Sequence, residues 1–579
     1  MPTLLRVHSW YSFLRGLPSP KALAEAAARA GYTAVLLADH HGLTGALEFQ
    51  DACDSLGLQP LLGLELHLQR GEERSLPTTV CLVAMDETGW ANLCRLSSLA
   101  QTRPDRDLEH GVALAEVCSH SAHLLCLLDG DSLAEKPAGA WLDALKAAFG
   151  DRLVVAVNRH RPETNAEALT EARAHALSTV AGHRVYYLEP DDAERQQTLT
   201  GIRVNRPRDA VGSADLAPPQ AWLPSAAELW DRFADVEGLT DADDLAARCT
   251  LRIPRDRHLF PALDLPAGET PEIALRRAAE AGAIRLYGTD GTLPATVRAR
   301  LEHELAIIGA RGFAPIFLVM QEIIAFARRD GVPNASRGSA ASSLVAHCLD
   351  ITTPDPLALN LYFERFLNPA RATPPDIDTD LCSRRRDRVI AHVFEHYGSD
   401  RVAMVATINC LQERSALRET AKAFEIDVDE MLDEVPYRGF GPRAARARAG
   451  GPYDSLKRHS NTPRFRQMLE HAEALIGQPD HLSIHPGGIV IAPRPIRELC
   501  PVHLASKGIT ITQFDLDGIE RLGLIKLDLL GIRGLTVVAD VAEGLLADGL
   551  TPEPSPGERQ ASPGERQASP GERQASPGE

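Results

Sequence analysis

Four acidic residues have types and spacing suited to chemistry on phosphates. Asp376, Asp378 and Asp380 alternate along PPDIDTDLC (374–382), and Asp528 stands alone in the apolar run GLIKLDLLGIRGLT (523–536). In an extended strand successive side chains alternate faces, so carboxylates at i, i+2 and i+4 project the same way and repel one another unless a cation lies between them. The pattern predicts a metal site. Two divalent ions about 3.5–4 Å apart, bridged by such carboxylates, are the usual machinery of phosphoryl and nucleotidyl transfer. A solvated strand face bearing acids by chance is the plainer reading, but Ile377, Leu381 and the apolar surroundings of Asp528 would make unpaired charge there costly.

The acids sit within a series of phrases, RGS (337–339), FERFLNP (363–369), PDIDTD (375–380), HPGGIVIAP (485–493) and GLIKLDLLG (523–531). In that order they resemble the palm of the bacterial C-family DNA polymerases, the alpha subunit of DNA polymerase III and its error-prone relatives, and the resemblance extends over residues 1 to about 545. It implies a nucleotidyltransferase-like palm, a mixed sheet with helices, that adds deoxynucleotides to primer–template DNA using two Mg²⁺ ions. Deoxynucleoside triphosphates are then substrates, and other replisome or repair-polymerase subunits are partners to look for. Asp378, Asp380 and Asp528 match the family's metal-binding catalytic triad, whereas Asp376 matches an acid outside it and is expected to be structural.

Beyond the metals, the turn SRGSAASS (336–343) offers backbone amides near a helix start, the Arg337 charge, Gly338, and the hydroxyls of Ser339 and Ser343. Such a turn could hold a triphosphate. Its ordinary alternative is an N-cap for the apolar helix beginning near Ser343. Lys526, two residues before Asp528 and hence on the same strand face, is placed to neutralise the carboxylates or touch phosphate, as is the run Arg384–Arg386.

The net charge is −18, so DNA contact must be local rather than spread over the surface. Between Tyr437 and Arg466 there are eight basic residues (Arg438, Arg443, Arg446, Arg448, Lys457, Arg458, Arg464, Arg466) against one acid, Asp454. A Gly/Pro-punctuated basic stretch can track phosphates or can be a merely solvated loop. The resemblance favours the first, because the stretch falls in the family's helical thumb.

These groups are set in a chain of alternating strand and helix patterns. Short apolar strands at Ala34–Ala38, Val80–Ala84, His123–Leu128 and Leu153–Val157 alternate with Ala-rich helical stretches at 20–30 and 165–178, a rhythm that predicts an α/β barrel-like domain. It resembles the PHP (polymerase and histidinol phosphatase) domain, with His8, Asp39, His40, Glu65 and His160 at metal-ligand positions. Other such positions hold Arg6, Thr79, Arg184 and Tyr186. A guanidinium does not coordinate a cation and repels it, so the domain is expected to be a platform rather than a phosphoesterase, its metal doubtful.

The expected organisation is an α/β multidomain protein: a PHP-like domain over 1–200, a helical connector over 201–265, palm over 266–430, thumb over 431–510, returning palm over 511–545 and a tail over 546–579. Thr270, Pro271 and Glu272 read as N-cap, first-turn proline and acidic first turn. The repeated SPGERQA of the tail cannot bury a core and is expected to be disordered. Ten cysteines without a CxxC pair read as reduced and mostly buried, and no apolar run is long enough to span a membrane, so a cytoplasmic protein is expected. The family's fingers have no room in the 34 residues after 545, so the chain looks like a truncated alpha subunit of impaired synthesis. The competing readings are a PHP phosphoesterase and a non-catalytic DNA-binding remnant.

Overall fold

The computed structural model describes residues 2–548 apart from 70–77, 105–110, 135–138, 160–161, 256, 369–372 and 436–450. The first lobe is an eight-stranded mixed sheet of β1 (Thr3–Val7), β2 (Ala34–His40), β3 (Gln59–Gln69), β4 (Thr78–Ala84), β5 (Val112–Ala113), β6 (Leu124–Asp129), β7 (Leu153–Val157) and β8 (Ser178–Ala181). Its order is β1-β2-β3-β4-β6-β7-β8, with β5 beside β3, and β4 runs antiparallel to both neighbours. Val7 bridges to Val185, just beyond β8, so the sheet curls back on its first strand. Both faces of these strands are covered, which is why they read as continuous apolar runs rather than alternating ones.

The second lobe is a seven-stranded sheet of β9 (Asn334–Ser336), β10 (Thr379–Cys382), β11 (Val402–Cys410), β12 (Pro479–Ile491), β13 (Val502–Leu504), β14 (Thr510–Thr512) and β15 (Lys526–Ile532), in the order β13-β14-β11-β12-β15-β10-β9. Helices Pro271–Tyr287, Ala295–Ala310, Ala314–Arg329 and Arg386–Tyr397 share its core through Leu275, Leu301, Phe317 and Val393. Thr270 caps the first of them as its sequence predicts, its hydroxyl accepting from the Ile273 amide.

Between β11 and β12 a helical lobe is inserted, with its own core of Leu417, Phe424, Tyr453, Phe465 and Met468. The lobe is shorter than the expected 431–510 and starts earlier, at helix Glu413–Phe424, because residues 479–512 pair into the palm sheet. The two main lobes are not separated by a polar seam. One apolar core runs from Leu37 and Trp90 of the first lobe into Val490, Leu499, Phe514 and Leu522 of the second. Across it the buried Gln513 accepts from the Leu43 amide and donates to Ser97 Oγ and the Val502 carbonyl. Among the described residues no single helix is long and apolar enough to cross a membrane.

Candidate metal centre in the palm

β15 lies between β12 and β10, and that order brings together acids distant in the chain. Asp528 is opposite Gly488 of β12, while Thr379 and Asp380 of β10 are in parallel register with Leu529 and Leu530. Carboxylate oxygens of Asp376, Asp378 and Asp528 lie within 4.8 Å of one another. Gly487 lets β12 close over this group: a Cβ there would fall 2.5 Å from Leu530 Cδ2 and 3.5 Å from Asp528 Oδ1.

The membership differs from the expected triad. Strand pairing begins only at Thr379, so alternation does not extend through 376–380. Asp376, expected outside, converges with Asp378 and Asp528, whereas Asp380 faces Arg337, whose Nε is 3.2 Å from Asp380 Oδ1 and 3.8 Å from Asp378 Oδ2. The guanidinium thus bridges two of the three acids of the PDIDTD segment. Lys526 engages the acid of β15, its Nζ donating to Asp528 Oδ2 at 2.8 Å.

Burial, then the charges of Asp376 and Asp528, push the Asp378 carboxyl above its ordinary range, against the pull of Arg337 and Lys526. Asp528 Oδ1 is buried without a hydrogen-bond partner, an expensive state for a carboxylate oxygen unless a cation takes it. An all-oxygen, acidic donor set suits a hard divalent ion such as Mg²⁺. Beside it His485 accepts at Nδ1 from the amides of Gly487 and Gly488, which leaves Nε2 as the protonated nitrogen of its neutral ring. Burial lowers its pKa, against the opposing field of Asp528.

The turn at 336–343 splits into two parts. Gly338 has φ +76° and its missing Cβ would stand 3.9 Å from Asp378 Oδ2, so with Arg337 it borders the acids. Ser343 does not. It is fully buried, caps helix Leu344–Cys348 by accepting from the Ala346 amide, and donates to Glu304 Oε2. Glu304 also accepts from the Leu344 and Val345 amides and from Arg300. The anion at this helix start is therefore a side chain of the protein, and Ser343 is unavailable to a triphosphate. The basic run after β10 is likewise engaged away from the acids: Arg384 pairs with Asp540, Arg385 with Glu543, and Arg386 donates to the Leu529 carbonyl.

Of the expected DNA contacts, Arg438, Arg443, Arg446 and Arg448 lie outside the described residues. Lys457 pairs with Asp454 and Arg458 with Glu434, so part of the local positive charge is already offset.

In the first lobe Arg6 takes φ +65° within β1, a strained conformation for a side-chain-bearing residue, and its fully buried guanidinium points among the acids. It donates to Glu65 at 2.8 Å and to Asp129 at 2.7 Å, while Arg184 reaches Asp129 at 3.1 Å. Burial raises the Glu65 carboxyl, but Arg184, Arg6, His8 and His40 outweigh it and hold it well below the usual range. His8 and His40 converge with Glu65 within 4.8 Å, yet His8 is stacked flat on Tyr186 and His40 Nε2 is 2.8 Å from the Tyr186 hydroxyl. Asp39 spends its oxygens on Ser9 and Ser12. His160 lies outside the described residues. Two guanidiniums on the carboxylates that would bind a cation do not fit a metal centre here.

Residues 273–531 match the bacterial DNA polymerase III alpha NTPase domain, and residues 5–190 match the PHP domain. The chain is 33% identical over 576 residues to an error-prone DNA polymerase of Symbiobacterium thermophilum, covering 93% of this chain and 52% of that protein. It is 34% identical over 568 residues to an error-prone DNA polymerase of Alkalilimnicola ehrlichii (96% and 53%), and 33% over 563 residues to DNA polymerase III subunit alpha of Caulobacter vibrioides (92% and 49%). Over most of its length the chain is similar to the DNA polymerase III alpha subunits and error-prone DNA polymerases of bacteria. It spans about half the length of the curated relatives it matches.

Proposed function

We propose that this chain carries the catalytic palm for templated addition of deoxynucleotides to primer–template DNA. The observation that carries the reading is the convergence of Asp376, Asp378 and Asp528 within 4.8 Å, with Asp380 two residues beyond Asp378, around a buried carboxylate oxygen that lacks a hydrogen-bond partner. Asp378, Asp528, Asp380 and Asp376 are the groups to hold two Mg²⁺ ions. When bound, such ions activate the primer 3′-hydroxyl and stabilise charge on the leaving pyrophosphate.

The remaining roles fall to the protein's own cations. Arg337 and Lys526 offset the like charges of Asp378, Asp380 and Asp528 before any metal arrives, and are assigned to meet an incoming triphosphate. Gly338 and Ser339 allow close approach of backbone to phosphate. DNA is assigned to the helical lobe and the basic 437–466 stretch, and other replisome or repair-polymerase subunits to further surfaces. The first lobe is assigned a structural role, since Arg6 and Arg184 hold Glu65 and Asp129 and leave phosphoesterase chemistry no cation.

Primer extension by the purified chain with Mg²⁺, read together with Mn²⁺ binding by electron paramagnetic resonance, tests the assignment. Templated extension and Mn²⁺ binding that both disappear in Asp378→Asn support it. Mn²⁺ binding unchanged in Asp378→Asn and Asp528→Asn overturns it.

A further inference from the structure

A second group of ligating side chains lies away from the palm acids. Helix Arg386–Tyr397 carries His392 and His396 four residues apart, hence on one face, and helix Ala314–Arg329 presents Glu322 to them. One ligand atom from each of the three lies within 4.8 Å of the others, and His392 Nε2 is 2.7 Å from Glu322 Oε1. The rings are held in place: His392 stacks on Phe326 at 3.7 Å and 4°, and on His396 at 5.3 Å and 25°. The Tyr397 hydroxyl also faces Glu322, and burial followed by that carboxylate raises its pKa. Both helices are anchored below by the same core, through Met320, Ile323, Ala327, Val389 and Val393, so the ligands stand on rigid elements.

We propose that Glu322, His392 and His396 form a site for a borderline divalent cation of the Zn²⁺ class, completed by water. Two imidazoles and one carboxylate are the donor set such ions take with an open fourth position, whereas Mg²⁺ prefers all-oxygen surroundings. Ligand atoms bound at about 2.0–2.1 Å around a tetrahedral ion stand about 3.3 Å apart, so the three need only small side-chain rotations, with His392 exchanging its bond to Glu322 for the ion. The site and the palm acids therefore select different metals in one molecule.

Its position gives it a task. Helix Ala314–Arg329 leads into β9, beside Arg337, and helix Arg386–Tyr397 follows β10, which carries Asp380. An ion shared between the helices clamps the supports of the strand pair that borders the catalytic acids.

The test is a Co²⁺ titration of the full chain, freed of metal with a chelator and held in excess Mg²⁺ to occupy the palm. One equivalent of Co²⁺ should give a visible absorption of tetrahedral type, displaced by Zn²⁺. His396→Ala removes an exposed ring and should weaken Co²⁺ affinity at least about tenfold, as expected for loss of one of three ligands. Glu322→Gln should do the same, and Zn²⁺ should raise the thermal midpoint of the parent chain but not of either variant. Absence of the visible band, or a band and a Zn²⁺ shift that persist unchanged in His396→Ala, overturns the proposal.

Discussion

Lys526 Nζ lies 2.8 Å from Asp528 Oδ2 on the same strand, two residues apart and on one face of β15. The ammonium thereby stands where a cation bound to Asp528 would compete for the same charge. Burial opposes the charged form of Lys526, but its bond to Asp528 and the field of that acid and Asp376 outweigh this and raise its pKa.

Replacing Lys526 with Met should therefore tighten Mg²⁺ binding in the absence of nucleotide, by up to about tenfold for one unit charge removed near the surface. Calorimetric titration checks it. Unchanged or weaker binding would show that the ammonium does not share the ion's space.

Metal binding at the palm should be sensitive to mild acid. The Asp378 carboxyl is raised by burial and by its acidic neighbours, so it protonates at higher pH than an exposed aspartate. Mg²⁺ affinity is expected to fall on acidification through an interval that starts above the ordinary aspartate range, with proton release on binding, and the dependence should flatten in Asp378→Asn. An affinity constant across that interval would contradict the raised value.

Arg6→Met should destabilise the protein by about 3–5 kcal/mol, because it strips a buried ion pair of one partner and leaves Glu65 and Asp129 to Arg184 alone. Urea denaturation gives the number. A loss below about 1 kcal/mol would mean the pairing is as weak as a surface salt bridge.

The first lobe also sets an acid limit on stability. Glu65 and Asp129 have folded pKa values depressed below the unfolded ones, so their contribution is present above the ordinary carboxylate range and is lost as pH falls through the folded values. Burial likewise depresses His40 and His41, whose contribution is present above about pH 6.5 and begins to be lost below it. The thermal midpoint should thus decline in two stages on acidification, starting near pH 6.5. A midpoint flat down to about pH 5 would rule out the histidine stage.

For DNA, neutralising Arg443, Arg446 and Arg448 together should shallow the salt dependence of primer–template binding by up to about 3 units if each meets one phosphate. Lys457→Gln and Arg458→Gln should change it less, because Asp454 and Glu434 already offset those charges. Equal slopes for the parent and the triple variant would remove the stretch from the DNA interface.

Much of the centre was legible because carboxylates in apolar runs are conspicuous, and Lys526 follows from the two-residue period of a strand. That same period set Asp380 on one face with Asp376 and Asp378, since it assumes pairing along a segment that becomes a strand only at Thr379, whereas it was the resemblance that put Asp376 outside the group it joins. Glu304 was invisible: it precedes Ser343 by 39 residues and reads as half of an ordinary helical Arg300–Glu304 pair. Asp129, at the end of an apolar strand, gave no sign that it would meet Arg6 across 123 residues. Periodicity reports which face a side chain takes, whereas such partners are set by how sheets curl and helices dock.

The apolar core shared by the two lobes makes their join a fusion rather than a tether. The boundary between the matched segments 5–190 and 273–531 is a boundary of ancestry, and it is not one of cooperativity. A lobe without a metal still supplies Leu37, Trp90 and their neighbours to cover Phe514 and Leu522, so grafting either lobe onto another protein would carry a bare apolar wall and Gln513 stripped of its partners.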